Sequence, residues 1–451
     1  MTEPGSFRSD FLWGAATSAY QIEGAPLEDG AGPSIWHRFS HTQGRTVAGP
    51  EADIACDHYH RSAQDVELMG ELGLRSYRLS LSWSRILPDG RGAVNRKGLD
   101  FYSRLVDRLL AADIAPMVTL YHWDLPAALD DLGGWLNPDV RWWFADYARV
   151  VFEALGDRVP LWATINEPWV IAHDGYWTGV NAPGHRNAFE LPRVSHHVLC
   201  AHGAALQVYR SAWKNPIGLV VNLEPKYPIS RMEIDLAAAE RGDIYFNRQY
   251  LDPVMFGRYP EGLAELFGEA WPAHPEEDLQ LIHQPIDFVG VNYYSRRVVR
   301  HDESVWPDRA RAVDVTGAEL METGWEIFPE GLTTTLCWVK ERYGDIPIYV
   351  TENGAALPDP PPGGDGIVQD PDRVRYLADH VRAMRAAMER GVDVRGYYVW
   401  SLMDNLEWSA GFTRHFGIVA VDRATMRRIP KASALYYRDL IRSHGLERVR
   451  A

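Results

Sequence analysis

Short apolar runs alternate along this chain with amphipathic stretches. Eight of the runs read as strands: FLWGAATSAY at 11–20, SYRLSLSW at 76–83, PMVTLYHWD at 116–124, LWATINEP at 161–168, IGLVVNLE at 217–224, DFVGVNYY at 287–294, IPIYVTENG at 346–354 and VRGYYVWSLMD at 394–404. Each is rich in β-branched or aromatic residues and nearly continuous in hydrophobicity, the pattern of strands buried on both faces. Between them lie stretches with helical spacing, such as 96–114 and 371–391. In the second, Val374, Leu377, Val381, Met384 and Met388 form one apolar stripe, and Gly391 just past its end marks a stop. Strands alternating with helices in this number predict an α/β fold, a (β/α)8 TIM barrel, as a single domain over 1–451 with elaborated βα loops. A doubly wound open sheet is the alternative, weakened because no GxGxxG follows the first strand. The run PDPPPGGDG at 358–366 reads as an exposed loop after strand seven, at the rim of the face where barrels carry chemistry.

The strands change character along their length. Their first halves are apolar, but their ends are polar or aromatic. Gln21 lies just past strand one, Arg78 on strand two, and His122, Trp123 and Asp124 end strand three. Asn166 and Glu167 end strand four, strand six carries Asn292 and Tyr294, and strand seven ends in Glu352 and Asn353. Strand eight carries Trp400 and leads to Asp404, Asn405, Glu407 and Trp408. A barrel brings all these ends to one face. Any single one reads as well as a satisfied strand-end group. The whole set does not, because buried polar groups are costly without partners.

Glu167 and Glu352 stand out in this set. Two carboxyls facing one another are the equipment of glycoside hydrolysis: one protonates the leaving oxygen, the other attacks the anomeric carbon or activates water. The surrounding donors and acceptors suit sugar hydroxyls, and Trp123, Trp325, Trp400 and Trp408 offer flat faces for a sugar ring.

The whole-chain numbers narrow the field. The 451 residues carry a net charge of −15, which argues against nucleic acid as a partner. No stretch reaches the length of a membrane-spanning helix, and the segment MTEPGSFRSDFLWG lacks the basic and apolar regions of a signal peptide, so cytoplasmic residence is expected. The three cysteines, Cys56, Cys200 and Cys337, form no CxxC pair. His58 and His60 form an HxH and His196 and His197 a pair, but helix-start and surface histidines are the favoured reading. No metal and no cofactor is expected.

The motifs at these strand ends resemble glycoside hydrolase family 1, the β-glucosidase family, from Phe11 to about Tyr437. They read FLWGAATSAYQIEGA with GPSIWHRF, TINEP continuing to GYWTGVNAPG, YVTENG, and WSLMDNLEW. The resemblance implies a retaining β-glycosidase acting on terminal β-D-glucosyl or related residues of a small β-glycoside or oligosaccharide. It implies that Glu167 is the acid/base and Glu352 the nucleophile, with Arg78 and Tyr294 setting the nucleophile's charge and orientation. Gln21, His122, Asn166, Glu407 and Trp408 match groups holding the non-reducing sugar. Trp400 matches the floor beneath it and Trp325 the aglycone side. Trp123, Asn292, Tyr294 and Phe416 complete the expected lining. A glutamate rather than glutamine at 167 speaks against a thioglucosidase, and Glu407 speaks against a 6-phosphoglycosidase. The chain departs from the family pattern at His37, where aspartate is usual, at His415 and at Ala420. Three readings compete: a transglycosylase using the same glutamates, a non-catalytic sugar-binding barrel, and a metal-dependent hydrolase.

Overall fold

In the computed structural model, which describes residues 7–364 and 366–445, the eight apolar runs pair side by side. They form the strands β1 (Leu12–Ala16), β2 (Ser76–Ser80), β3 (Ala115–Tyr121), β4 (Leu161–Asn166), β5 (Ile217–Asn222), β6 (Phe288–Asn292), β7 (Ile348–Asn353) and β8 (Val394–Trp400). All neighbours are parallel, and β8 pairs with β1, so the sheet closes as a barrel. The expected open-sheet alternative is excluded by that closure.

Period-2 geometry divides the strand residues into two packing layers. Met117, Leu161, Phe288, Tyr349 and Tyr398 fill the barrel interior. Val118, Trp162, Val289, Val350 and Tyr397 face outward and pack into the layer of helices. Both faces are therefore buried, which is why the strands read as continuous apolar runs. The helix Pro371–Glu389 buries Leu377, Val381 and Met384 as the stripe predicts, while Val374 and Met388 are only half-buried. Tyr376 and His380 share the buried face. Gly391, at φ 86°, reverses the chain after it.

Two runs end earlier as strands than the hydrophobic pattern suggests. In the first, the ladder stops at Ala16, and Ala19–Ile22 form a helical turn that carries Gln21. In the last, pairing with β1 stops at Trp400; beyond it Met403 pairs instead with Val419. Apolar continuity reports burial here and not ladder pairing. The βα loops hold further short strands, a three-stranded sheet of Lys226–Pro228, Arg297–His301 and Ala310–Ala312, and a hairpin of Val419–Val421 with Arg428–Pro430. Of the proline-rich run, Asp359 is held by Arg373 at 2.9 Å and residues 360–364 are exposed without regular structure; residue 365 lies outside the described residues, as do residues 1–6 of the N-terminal segment. Among the described residues no helix is long and apolar enough to cross a membrane.

Candidate active site

The C-terminal ends of the strands converge on a buried hydrogen-bonded net. Arg78, an interior residue of β2, sits at its centre with 1% exposure. Its Nη1 donates to Glu352 Oε1 at 2.5 Å, and its Nη2 donates to Asn166 Oδ1 at 2.6 Å. Asn292 donates from Nδ2 to Glu167 Oε1 at 2.6 Å and to Asn166 Oδ1 at 3.1 Å. The two carboxyls are thus joined through three side chains. Tyr294 closes the other side of Glu352, donating to Oε2 at 2.6 Å.

Local backbone irregularities aim these groups. The ladder of β7 slips between Val350 and Glu352, and Thr351 and Glu352 both reach the site: Thr351 donates to Asn292 Oδ1 at 2.7 Å. A bulge re-aims side chains in this way. On β4 the register shifts before Asn166, and Glu167 follows in the left-handed region at φ 48°. Pro168 then starts a short helix, where its missing N–H costs nothing. Trp123 and Trp408 share the left-handed conformation, at φ 81° and 47°. Such conformations are costly for large side chains and persist where the surroundings impose them. Gly354 permits the closest approach, since a Cβ there would lie 1.7 Å from the Trp400 carbonyl oxygen.

The two carboxyls have opposed surroundings. Glu352 is held by a guanidinium and a phenol. Glu167 is pushed well above the usual carboxylate range, first by burial and then by the charge of Glu352; Asn292 and Arg78 offset only part of this. Asn292 occupies Oε1 of Glu167, which leaves Oε2 to carry a proton.

His122 is a buried neutral imidazole, its pKa held well below the usual value by burial and then by Arg78. Asn166 accepts two hydrogen bonds through Oδ1, so its Nδ2 must be the amide nitrogen facing His122 Nε2 at 3.2 Å. His122 therefore accepts at Nε2 and carries its proton on Nδ1, which is buried without a partner.

Aromatic rings enclose the same space. Trp400 lies nearly parallel to His122 at 5.9 Å; Trp123 and Trp408 pack at 4.6 Å. Trp325 and Phe416 flank Tyr294 at 5.3 and 6.0 Å. Glu407 joins them with its pKa pushed up to about 8, chiefly by burial and next by the charge of Glu352. Gln21 is fully buried and committed to the protein: it donates to Asn405 Oδ1 and to the Leu406 carbonyl and accepts from Ser18. It anchors the segment that presents Glu407.

Some strand-end polar groups lie outside this cup. Asn353 bonds the Tyr293 carbonyl, Tyr376 and Tyr397, and Asp404 bonds Lys431 and the Gly417 N–H. Asp124 is buried with its pKa pushed up to about 8 by burial and then by Glu23. Of three supporting groups, Asn405 stands in the sequence at the end of strand eight, whereas Thr351 and Trp36 were not singled out there. Thr351 orients Asn292, Asn405 holds Gln21, and Trp36 supports Trp408 from 4.5 Å. Thr351 could have been found, because it precedes Glu352 in the same motif.

The histidine pairs do not gather together. His58 bonds Asp65, while His60 bonds Asp57 and Glu28. His197 bonds the Trp135 carbonyl, and His196 lies with Cys200 and Asp278.

A family model described as "Glycosyl hydrolase family 1" matches residues 3–446. "Beta-glucosidase A" of Thermotoga maritima is 47% identical over 98% of this chain and 99% of its own length. "Bifunctional beta-D-glucosidase/beta-D-fucosidase" of Bifidobacterium breve is 43% identical over 97% and 99%. The solved β-glucosidase of Thermotoga maritima in complex with deoxynojirimycin superposes with a TM-score of 0.96, at 46% identity over 98% of this chain and all of that one.

Proposed function

The chain belongs to glycosyl hydrolase family 1, and on that premise we propose that it hydrolyses terminal non-reducing β-D-glucosyl residues with retention, Glu352 attacking and Glu167 transferring the proton. The observation that carries this reading is the contrast between the two carboxyls of one net. Glu352 faces Arg78 and Tyr294, which favour a carboxylate. Glu167 is buried beside that negative charge and is kept protonated.

The steps follow from these states. Protonated Glu167 gives its proton to the glycosidic oxygen as the bond to the anomeric carbon breaks. Glu352 forms a bond to that carbon, giving a glycosyl ester and releasing the aglycone. Esterification removes the charge that raised Glu167, so Glu167 leaves as a carboxylate able to take a proton from water. Water then attacks the anomeric carbon, and Glu352 departs.

The sugar is held by His122 and by Glu407, above Trp400. Trp123, Trp408 and Phe416 flank it, Asn166 and Asn292 line its floor near the reacting carbon, and Trp325 borders the aglycone. Gln21 acts mainly by fixing the Glu407 segment. The relatives named β-glucosidase support a glucosyl substrate, and the Bifidobacterium breve enzyme's name extends the range to β-D-fucosides. Cytoplasmic residence suits three cysteines that are all free thiols.

The test is covalent trapping. A 2-deoxy-2-fluoro β-glucoside with a good leaving group should add one fluorosugar mass to the peptide containing Glu352. Labelling of another peptide, or turnover with no adduct and an inverted product, would remove the assignment.

A further inference from the structure

The loop after β1 carries a second cluster of ligating side chains with no part in the steps above. His37 belongs to the helix Ile35–Ser40 and His41 follows it directly, four residues on, so both rings leave the same face. Their centroids are 4.3 Å apart. Asp53 ends the turn Gly49–Asp53 and brings its carboxylate to both rings. His41 Nε2 lies 3.2 Å from Oδ2, and His37 Nε2 lies 3.7 Å from Oδ1. One ligating atom from each of the three residues falls within 4.8 Å of the others. Tetrahedral zinc, with bonds of about 2.0–2.1 Å, holds its ligand atoms about 3.3 Å apart.

Two further observations point to a cation. Asp53 Oδ1 is buried and accepts no hydrogen bond. His41 Nδ1 lies 2.8 Å from the His37 carbonyl, so Nδ1–H donates and the Nε2 lone pair faces Asp53. That is how ligating histidines are held. The adjacent cation, Arg38, is spent on both oxygens of Asp131. The other three-residue cluster among the described residues differs. There Asp278 is taken by Arg141, and both His196 nitrogens are engaged, by Tyr259 and Asp278.

We propose that His37, His41 and Asp53 bind a divalent transition-metal ion of the zinc class, which staples the loop after β1 and takes no part in hydrolysis. Two imidazoles and one carboxylate suit zinc; magnesium and calcium prefer all-oxygen sets. The ion would join the two ends of the 41–53 segment. That segment abuts the sugar site's rim: Val47 N–H donates to the Ser409 carbonyl at 3.0 Å. Trp36, next to His37, packs on Trp408.

The test uses the full-length protein after chelator treatment, titrated calorimetrically with zinc chloride and separately with magnesium chloride. One zinc per chain should bind and raise Tm by several degrees, with no response to magnesium. Cobalt(II) should give the visible absorbance of a four-coordinate site. His41→Ala and Asp53→Asn should each weaken zinc binding roughly tenfold or more and abolish the rise in Tm. His41→Gln serves if His41→Ala folds poorly. Without zinc, kcat/KM of these variants should match wild type. No saturable zinc binding up to about millimolar concentration, or unchanged binding in the variants, would overturn the proposal.

Discussion

Replacing Tyr294 by phenylalanine isolates one hydrogen bond to the nucleophile. The ring keeps its neighbours, Trp325 at 5.3 Å and Phe416 at 6.0 Å, and only the hydroxyl is lost. That hydroxyl donates to Glu352 Oε2 at 2.6 Å inside a buried site. A hydrogen bond to a charged group is worth about 1.5–3 kcal/mol. It orients the attacking carboxylate, so its loss raises the barrier to attack by up to that amount. At about 1.36 kcal/mol per tenfold, kcat/KM should fall about 10- to 150-fold. Because Tyr294 touches the nucleophile and not the acid, the loss should be alike for a dinitrophenyl glucoside and for cellobiose. The assay is kcat/KM on both substrates across pH 5 to 8, with Tm as a control for folding. A loss below about threefold at every pH, far under the range set by a hydrogen bond to a charged group, would refute the reasoning. So would a loss confined to the poor leaving group.

The remaining expectations concern the other site groups. Glu167→Ala should lose far more rate on cellobiose than on a dinitrophenyl glucoside in the glycosylation step, because a good leaving group needs no acid; equal losses would count against it. Glu407→Ala should cost roughly tenfold to more than a hundredfold in kcat/KM on a β-glucoside and narrow the discrimination against a 6-phosphorylated one. Glu407 also links stability to pH. Its folded pKa, about 8, exceeds the ordinary 4.5, so the native state binds more protons in that window and the stability it contributes is lost as pH rises through it. The Tm difference between Glu407→Gln and wild type should therefore shift in the variant's favour from pH 5 to pH 8, and a constant difference would contradict this. Dialysis against a chelator should leave kcat/KM unchanged, since the chemistry runs on two carboxylates; loss restored by zinc or manganese would contradict it.

The barrel was legible because each strand is buried on both faces and so keeps an unbroken apolar run. Glu167 and Glu352 were legible because two carboxyls ending different strands of one barrel match the pair that glycoside hydrolysis needs. Side-chain direction was harder to read. Thr351 and Glu352 both reach the site because the β7 ladder slips, while Asn353 turns outward to Tyr293, Tyr376 and Tyr397. Simple alternation would not assign these three. Gln21 looks like a free sugar ligand in the sequence, yet it is committed to Asn405 and Leu406, residues about 385 positions away. The cluster of His37, His41 and Asp53 was illegible for a related reason. The i, i+4 histidines stand in the chain, but Asp53 reaches them only through the fold of the intervening loop.

The central claim is that Glu352 forms the bond to the anomeric carbon. Glu352→Ala, assayed on a nitrophenyl β-glucoside with and without azide, tests it most directly. The account predicts almost no hydrolysis without azide, and with azide a restored release of nitrophenol accompanied by the α-glycosyl azide, formed by direct attack from the vacated side. Near-normal hydrolysis by the variant, or a β-configured azide product, would contradict it.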